Sequence, residues 1–260
     1  MNSSKYFITF ANKNYMSTNR ISEQAKDFGV FDKIIQLNEE NIPNYIKKHD
    51  NFIKANKCGF GLWIWKPKII YDTLNKIESG DILVYCDAGT FVNKKGKERF
   101  NYYISQLDKH DMVVFSTSDK YKAQQFVKND AIMDYYPDFN NQWMTFCYAG
   151  VIIIKKTEKS VEFVRDWLGL CENYNFIDKS PSIKYRDLSH YLGNDCDNGL
   201  FNLCLAKHKI HFTITPDEIN LYTSDKIQVA HTNVNQKNVD WSSLDHIPFQ
   251  VRRMTPKFGY

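Results

Sequence analysis

Short apolar runs alternate along this chain with longer stretches in which apolar residues recur every three or four positions, the pattern of strands alternating with amphipathic helices. Tyr6 to Ala11 predicts a first strand, residues 17 to 28 a helix, and Val30 to Leu37 a second strand. Ser17, Thr18 or Asn19 can cap that helix, with Ile21, Ala25 and Phe28 on one face. Ile42 to Asn56 predicts another helix. Pro67 suits the first turn of the next, which has Ile70, Leu74 and Ile77 on one face and Ser79-Gly80 as its stop. Buried strands follow at Ile82 to Tyr85, Met112 to Ser116 and Cys147 to Ile154. Thr157 caps a helix with Val161, Val164, Leu168 and Cys171 on one face, and a last helix starts near Asn194 with Leu200, Leu203, Cys204 and Ala206 facing the core. Residues 119 to 145 are polar with weak periodicity, which predicts a helix-containing insertion or mobile segment able to cover a site. Alternation of this kind builds an α/β domain, a Rossmann-like, mostly parallel central sheet with helices on both faces.

A chain of 260 residues, 43% hydrophobic and 15% aromatic, can fill one such domain with a sizeable core. The net charge of +4 is spread rather than striped, which does not point to nucleic acid. Lys94, Lys95, Lys97 and Arg99 form the densest basic cluster, read either as a solvated loop or as a lure for an anionic ligand. The six cysteines contain no Cys-x-x-Cys pair and sit largely within apolar patterns, as reduced core thiols do, so a cytoplasmic location is the expectation. Met1-Asn2-Ser3-Ser4-Lys5 lacks the features of a signal peptide, and no apolar run has the length of a transmembrane segment. Any membrane contact is expected to be peripheral.

The chemistry concentrates where apolar runs end. Asp87 leaves the strand Ile82 to Tyr85 on a turn with two small residues, Ala88 and Gly89, where a ligand can approach the backbone. It could equally be a turn-capping Asp. Upstream lies Gly59-Phe60-Gly61-Leu62-Trp63-Ile64-Trp65-Lys66-Pro67. Downstream, Asn194-Asp195-Cys196-Asp197-Asn198-Gly199 places carboxylates and amides at a helix start, where either capping or catalysis would use them.

With these blocks the chain resembles the GT-A nucleotide-sugar glycosyltransferases. The likeness is to bacterial and viral sequences that pair a Gly-x-Gly-x-Trp-x-Trp-Lys-Pro block with Gly-Asp-Ile-Leu-x-Tyr-x-Asp-Ala-Gly, and more distantly to glycosyltransferase family 8, the group of glycogenin and the lipopolysaccharide galactosyltransferases. The resemblance implies a single GT-A domain over 1–260, with a nucleotide-binding half at 1–118 and an acceptor-binding half at 119–260. Its implied substrates are a nucleotide-sugar donor, with uridine diphosphate as the expected carrier, and an oligosaccharide or glycoprotein acceptor.

The same resemblance implies residue roles. Thr9, Phe10, Ala11 and Arg20 would hold the nucleoside. Lys66, Asp87, Ala88, Gly89 and Lys237 would face the diphosphate. Mn2+ or Mg2+ would be bound by Asp87 and His231. Asp195, then Asp197, would orient or deprotonate the acceptor, with Cys196 standing where relatives carry Gln. Tyr148, Ala149 and Gly150 would face the sugar, and Trp65 would either stack on it or pack beneath the Asp87 strand. Gly89 occupies the place of the family's second metal-binding Asp. The block Ile227 to Lys237 matches the family's His-x-x-Gly-x-x-Lys-Pro-Trp only in part. A second reading is a catalytically silent nucleotide-sugar or glycan binding module. A third, a metal-dependent phosphohydrolase, lacks the clustered carboxylates of a two-metal site.

Overall fold

A computed structural model describes residues 3–13, 18–215 and 245–251. Strand β1 (Lys5–Phe10) enters the centre of the molecule, helix α1 (Thr18–Phe28) covers it, and β2 (Lys33–Leu37) returns beside it. Two short helices, α2 (Pro43–Lys48) and α3 (Asp50–Ala55), lead to a single turn, α4 (Gly59–Leu62), and then to α5 (Trp65–Leu74) and β3 (Ile82–Cys86). After Asp87 come the two-residue β4 (Phe91–Val92), α6 (Lys97–Gln106) and β5 (Met112–Lys122). Helix α7 (Asn129–Tyr135) precedes β6 (Thr145–Lys155), α8 (Glu158–Glu172) and α9 (Tyr174–Ile177). A long loop then leads to α10 (Cys196–His208) and β7 (His211–Ile214), and β8 (Phe249–Gln250) pairs with β4.

The six-stranded sheet has the order β2-β1-β3-β6-β5-β7. Only β6 runs against the others, pairing antiparallel with both β3 and β5, so the sheet is mostly parallel as its sequence pattern predicts. Strand β3 sits centrally and is buried along its whole length. Its side chains alternate between two cores. Leu83 and Tyr85 join Phe10, Trp65, Phe163, Trp167 and Phe201 on the α5, α8 and α10 side, while Ile82, Val84 and Cys86 join Phe28 and Phe100 on the α1 and α6 side. Fully burying one such large side chain contributes about 1.5–3 kcal/mol, and the alternation also aims Asp87, two residues past Tyr85, toward α5 and α10.

Several expectations need correction. Strand β2 starts at Lys33, because Gly29, at φ +66°, ends α1, and Phe31 packs against Phe7, Phe28 and Phe100 instead of entering the sheet. The helix expected over Ile42 to Asn56 breaks at His49, whose buried ring bonds to the Tyr174 hydroxyl. The basic cluster lies in a 3-10 turn and the first turn of α6 rather than in an open loop, with Arg99 over the Tyr102 ring. In α8 the core face carries Phe163 and Trp167, while Val161 and Leu168 are only half-buried. The 119–145 segment does contain helix, and it is packed, with Ala123, Ile132 and Phe139 buried in the main core. Thr157 caps α8 as expected.

Candidate functional site

Residues Gly59 to Trp63 run through five consecutive positive φ angles, from 54° to 87°. This left-handed turn is closed by bonds from the Leu62 N–H to the Cys58 carbonyl (2.8 Å) and from the Trp63 N–H to the Gly59 carbonyl (3.2 Å). Left-handed backbone costs roughly 1–2 kcal/mol for each non-glycine residue, and Phe60, Leu62 and Trp63 all adopt it. The turn reverses into α5 and places Lys66 in that helix's first turn, pointing at the carboxyl end of β3.

Three separated stretches meet there. The Lys66 Nζ lies 3.3 Å from Asp87 Oδ1 and 3.0 Å from Asp197 Oδ2. The Lys66 and Asp197 side chains are 4% and 3% exposed, whereas Asp87, at 23%, reaches the surface. Asp87 also accepts from the Tyr85 hydroxyl (2.5 Å, on Oδ1) and the Tyr148 hydroxyl (3.1 Å, on Oδ2), and its own N–H donates to the Gly150 carbonyl at 2.7 Å. Burial and the Asp87 carboxylate push the Tyr85 phenol well above its usual pKa, which keeps it a donor. Burial opposes the charge on Lys66, but Asp197 and Asp87 outweigh it and hold the ammonium.

Helix α10 is tied to β6 by side-chain amides. Asn198 Oδ1 accepts the Ala149 N–H (2.7 Å), and Asn202 both accepts from and donates to the Cys147 backbone (2.7 and 2.8 Å). Asp195 sits at the N-cap position of α10 without making a capping bond, and its Oδ2 accepts from Asn198 Nδ2 at 2.9 Å. Asp195 is half-buried, and Asp197 faces the buried lysine, so neither carboxylate does the capping work that a helix start would suggest.

Burial pushes the Asp197 carboxyl up to about 7 against the pull of Lys66, with Asp87 and Asp195 adding to the rise. The folded chain thus holds this proton more tightly than the unfolded one. The stabilisation is complete below about pH 4 and is lost as pH rises through 7, by at most about 4 kcal/mol. Urea midpoints at pH 5 and pH 8 should differ more for the wild type than for Asp197→Asn; equal differences would mean that Asp197 is ionised throughout.

The other expected residues are placed as follows. Trp65 is buried, stacks on Phe10 at 3.9 Å between ring centroids, and donates through Nε1 to the Gly59 carbonyl at 2.9 Å, so it packs the turn and offers no face to a sugar. Phe10 is accordingly a core residue, and Thr9 and Ala11 are buried at the end of β1. Arg20 donates to the Ala88 and Thr90 carbonyls (2.8 and 3.1 Å), bracing the turn after Asp87. Ala149 and Gly150 spend their backbone groups on Asn198 and Asp87, and Gly150 is small for Tyr148, whose ring a Cβ would meet at 2.1 Å. Gly89 borders open space. His231 and Lys237, with the block around them, lie outside the described residues. Tyr85 is the site residue missed in the sequence, although its spacing of two from Asp87 on a strand puts both on one face.

Among the described residues no group of three or more His, Cys, Asp or Glu could hold a metal ion, and no helix is long and apolar enough to cross a membrane. No family model matches the chain, and no curated protein matches it. Among solved structures, the chain is similar to a glycosyltransferase involved in the glycosylation of the major capsid of PBCV-1 (11% identity, 82% of each chain covered, TM-score 0.41). It is also similar to mouse xyloside xylosyltransferase 1 in its apo form (8% identity, 96% of this chain and 97% of that one, TM-score 0.46). A third likeness is to 4-diphosphocytidyl-2C-methyl-D-erythritol synthase from Anaerococcus prevotii DSM 20548 (12% identity, 79% and 98% covered, TM-score 0.36).

Proposed function

We propose that the chain is a GT-A glycosyltransferase that moves a sugar from a nucleotide donor, with uridine diphosphate as carrier, to a hydroxyl of a glycan or glycoprotein. The observation that carries this reading is the junction of Lys66, Asp87 and Asp197, which joins at 3.3 Å or less the three stretches on which the family resemblance rests. In this reading Asp87, half-buried at the strand end, faces the donor. Asp195, half-buried at the start of α10, accepts the proton of the acceptor hydroxyl if the anomeric centre inverts, and orients the acceptor if it is retained. Positioned acid–base groups typically contribute about 100- to 10,000-fold. Asp197 and Lys66 are positioning residues. The buried Lys66–Asp197 pair fixes α10 against α5, and the Trp167 Nε1 donation to the Asp197 carbonyl (2.9 Å) fixes it to the core.

Asp87 fits Mn2+ or Mg2+ of one kind only. Its Oδ1 already receives Tyr85 and Lys66, and Oδ2 receives Tyr148, which leaves one lone-pair direction on Oδ2. Among the described residues that is a single carboxylate, which would suit an ion arriving with the diphosphate, with His231 outside those residues. Such an ion supplies Lewis-acid charge to the departing nucleoside diphosphate.

The test is hydrolysis of a panel of nucleotide sugars with and without manganese. The wild type is expected to release one nucleoside diphosphate, and Asp87→Ala, with intact folding, to do so at least about 100-fold more slowly. Nucleotide binding without release from any donor would favour the silent binding module.

A further inference from the structure

Beside the junction, a cleft of about 450 Å3 opens between the 178–195 loop and Phe126, with Asp195 in its lining. The loop wall is fastened in place. Asp130 accepts the N–H groups of Ile183 (2.6 Å), Lys184 (3.0 Å) and Tyr185 (2.7 Å); the fully buried Lys128 donates to the Asn175 carbonyl at 2.7 Å and pairs with Asp178. The Leu192 N–H donates to the Gln125 carbonyl at 2.8 Å. A cleft with so firmly tied a wall is pre-formed, as ligand sites usually are.

One group in it lacks a partner. Asn194 lines the cleft and is 8% exposed; its Nδ2 is spent on the Phe176 and Asp178 carbonyls (2.8 and 2.7 Å), while its buried Oδ1 has no donor among the described residues. A buried acceptor left unpaired is destabilising unless water or a ligand hydroxyl or N–H satisfies it. Apolar surface lies alongside. Leu192, in the lining, is 59% exposed; Trp143, outside the lining and 58% exposed, leans at 5.0 Å between ring centroids on His190, the chain neighbour of the lining residue Tyr191. Hydroxyl acceptors beside an exposed aliphatic side chain, with an exposed indole near the rim, suit a molecule with polar edges and C–H faces. The charged lining groups are Lys179 against Asp187 and Asp195, a net negative balance that disfavours a phosphorylated or carboxylated ligand.

We propose that this cleft is the acceptor subsite and that it takes an uncharged saccharide, with a hydroxyl presented to Asp195 and sugar rings lying on Leu192 and Trp143. The assignment of the cleft as an acceptor site rests on the glycosyltransferase reading, and its saccharide chemistry does not.

The test is binding of the full chain to an array of immobilised neutral, phosphorylated and sialylated oligosaccharides, alongside nucleotide-sugar hydrolysis by the wild type in the absence of any acceptor. The wild type is expected to bind neutral glycans, and Leu192→Asp and Trp143→Ala to weaken that binding at least tenfold. Tyr102→Ala, on α6, outside the cleft lining and 39% exposed, should leave it unchanged. All three positions are at the surface, so circular dichroism is expected to show intact folding. Binding only to charged glycans, binding indifferent to Leu192 and Trp143, or no glycan binding at all would overturn the proposal. Absent hydrolysis with glycan binding that depends on Leu192 and Trp143 would remove the transferase reading and leave the cleft a saccharide site.

Discussion

Lys66→Met is expected to destabilise the chain by about 3–5 kcal/mol at pH 8, the usual consequence of removing one partner from a buried ion pair, and to abolish nucleotide-sugar hydrolysis. The substitution removes the positive charge between two carboxylates, one of which, Asp197, is 3% exposed. Asp197 can escape by taking up a proton, since burial already holds its pKa near 7. The loss should therefore shrink as pH falls toward 5, because the neutral carboxyl no longer needs the ammonium. Urea denaturation at the two pH values measures this directly. A loss below about 1 kcal/mol at pH 8, the range of exposed pairs, would mean that water reaches the junction and that Asp87 and Asp197 do not depend on Lys66. Lys66→Arg is not expected to rescue activity, because a planar fork does not fit the space of a compact ammonium held between two carboxylates.

The order of strands and helices was legible because buried strands and one-faced helices leave different periods in the sequence. The Asp87 strand, the Thr157 cap and α10 stand close to where the pattern puts them. Asp87, Lys66 and Asp197 were each visible as single residues, from a strand end, a motif block and a helix start. Their meeting at one ion pair was not, since the contacts join residues 21 to 131 positions apart and depend on how α5 and α10 cross the sheet. Trp65 shows the limit from the other side. A tryptophan in a motif block suggests a sugar platform, yet whether its face is free depends on Phe10, which lies 55 residues away and covers it. The cleft wall was likewise hidden, because the 178–195 loop is shaped by Asp130 and Lys128, charged residues that sequence patterning assigns to solvent and that the fold buries to satisfy backbone groups.

The Gly-x-Gly of the tryptophan block was read in the sequence as a signature, and its physical content is the left-handed turn. Two glycines lower the cost of that turn, yet Phe60, Leu62 and Trp63 still adopt φ between 54° and 60°, at an expense of about 3–6 kcal/mol together. Strain of this size persists only when surrounding packing over-determines it. Here the burial of Leu62, Ile64 and Trp65 in the main core offsets it, and its product is the placement of Lys66.

Gly59→Ala should expose that dependence. A Cβ at Gly59 would lie 2.3 Å from the Trp63 ring, and the backbone there is at φ +61°. Gly80→Ala is the matched control, because Gly80 is also left-handed, at φ +89°, with nothing within 4 Å of its added Cβ. The control carries backbone strain alone, about 1–2 kcal/mol, whereas Gly59→Ala adds overpacking of about 1–3 kcal/mol. The difference between the two in urea denaturation isolates the contact with Trp63. Moving Trp63 also moves the start of α5, so Gly59→Ala is expected to lose hydrolysis out of proportion to its stability, while Gly80→Ala keeps it. Equal destabilisation with equal activity in the two variants would mean that the tryptophan block is a spacer and that Lys66 is positioned by the body of α5 alone.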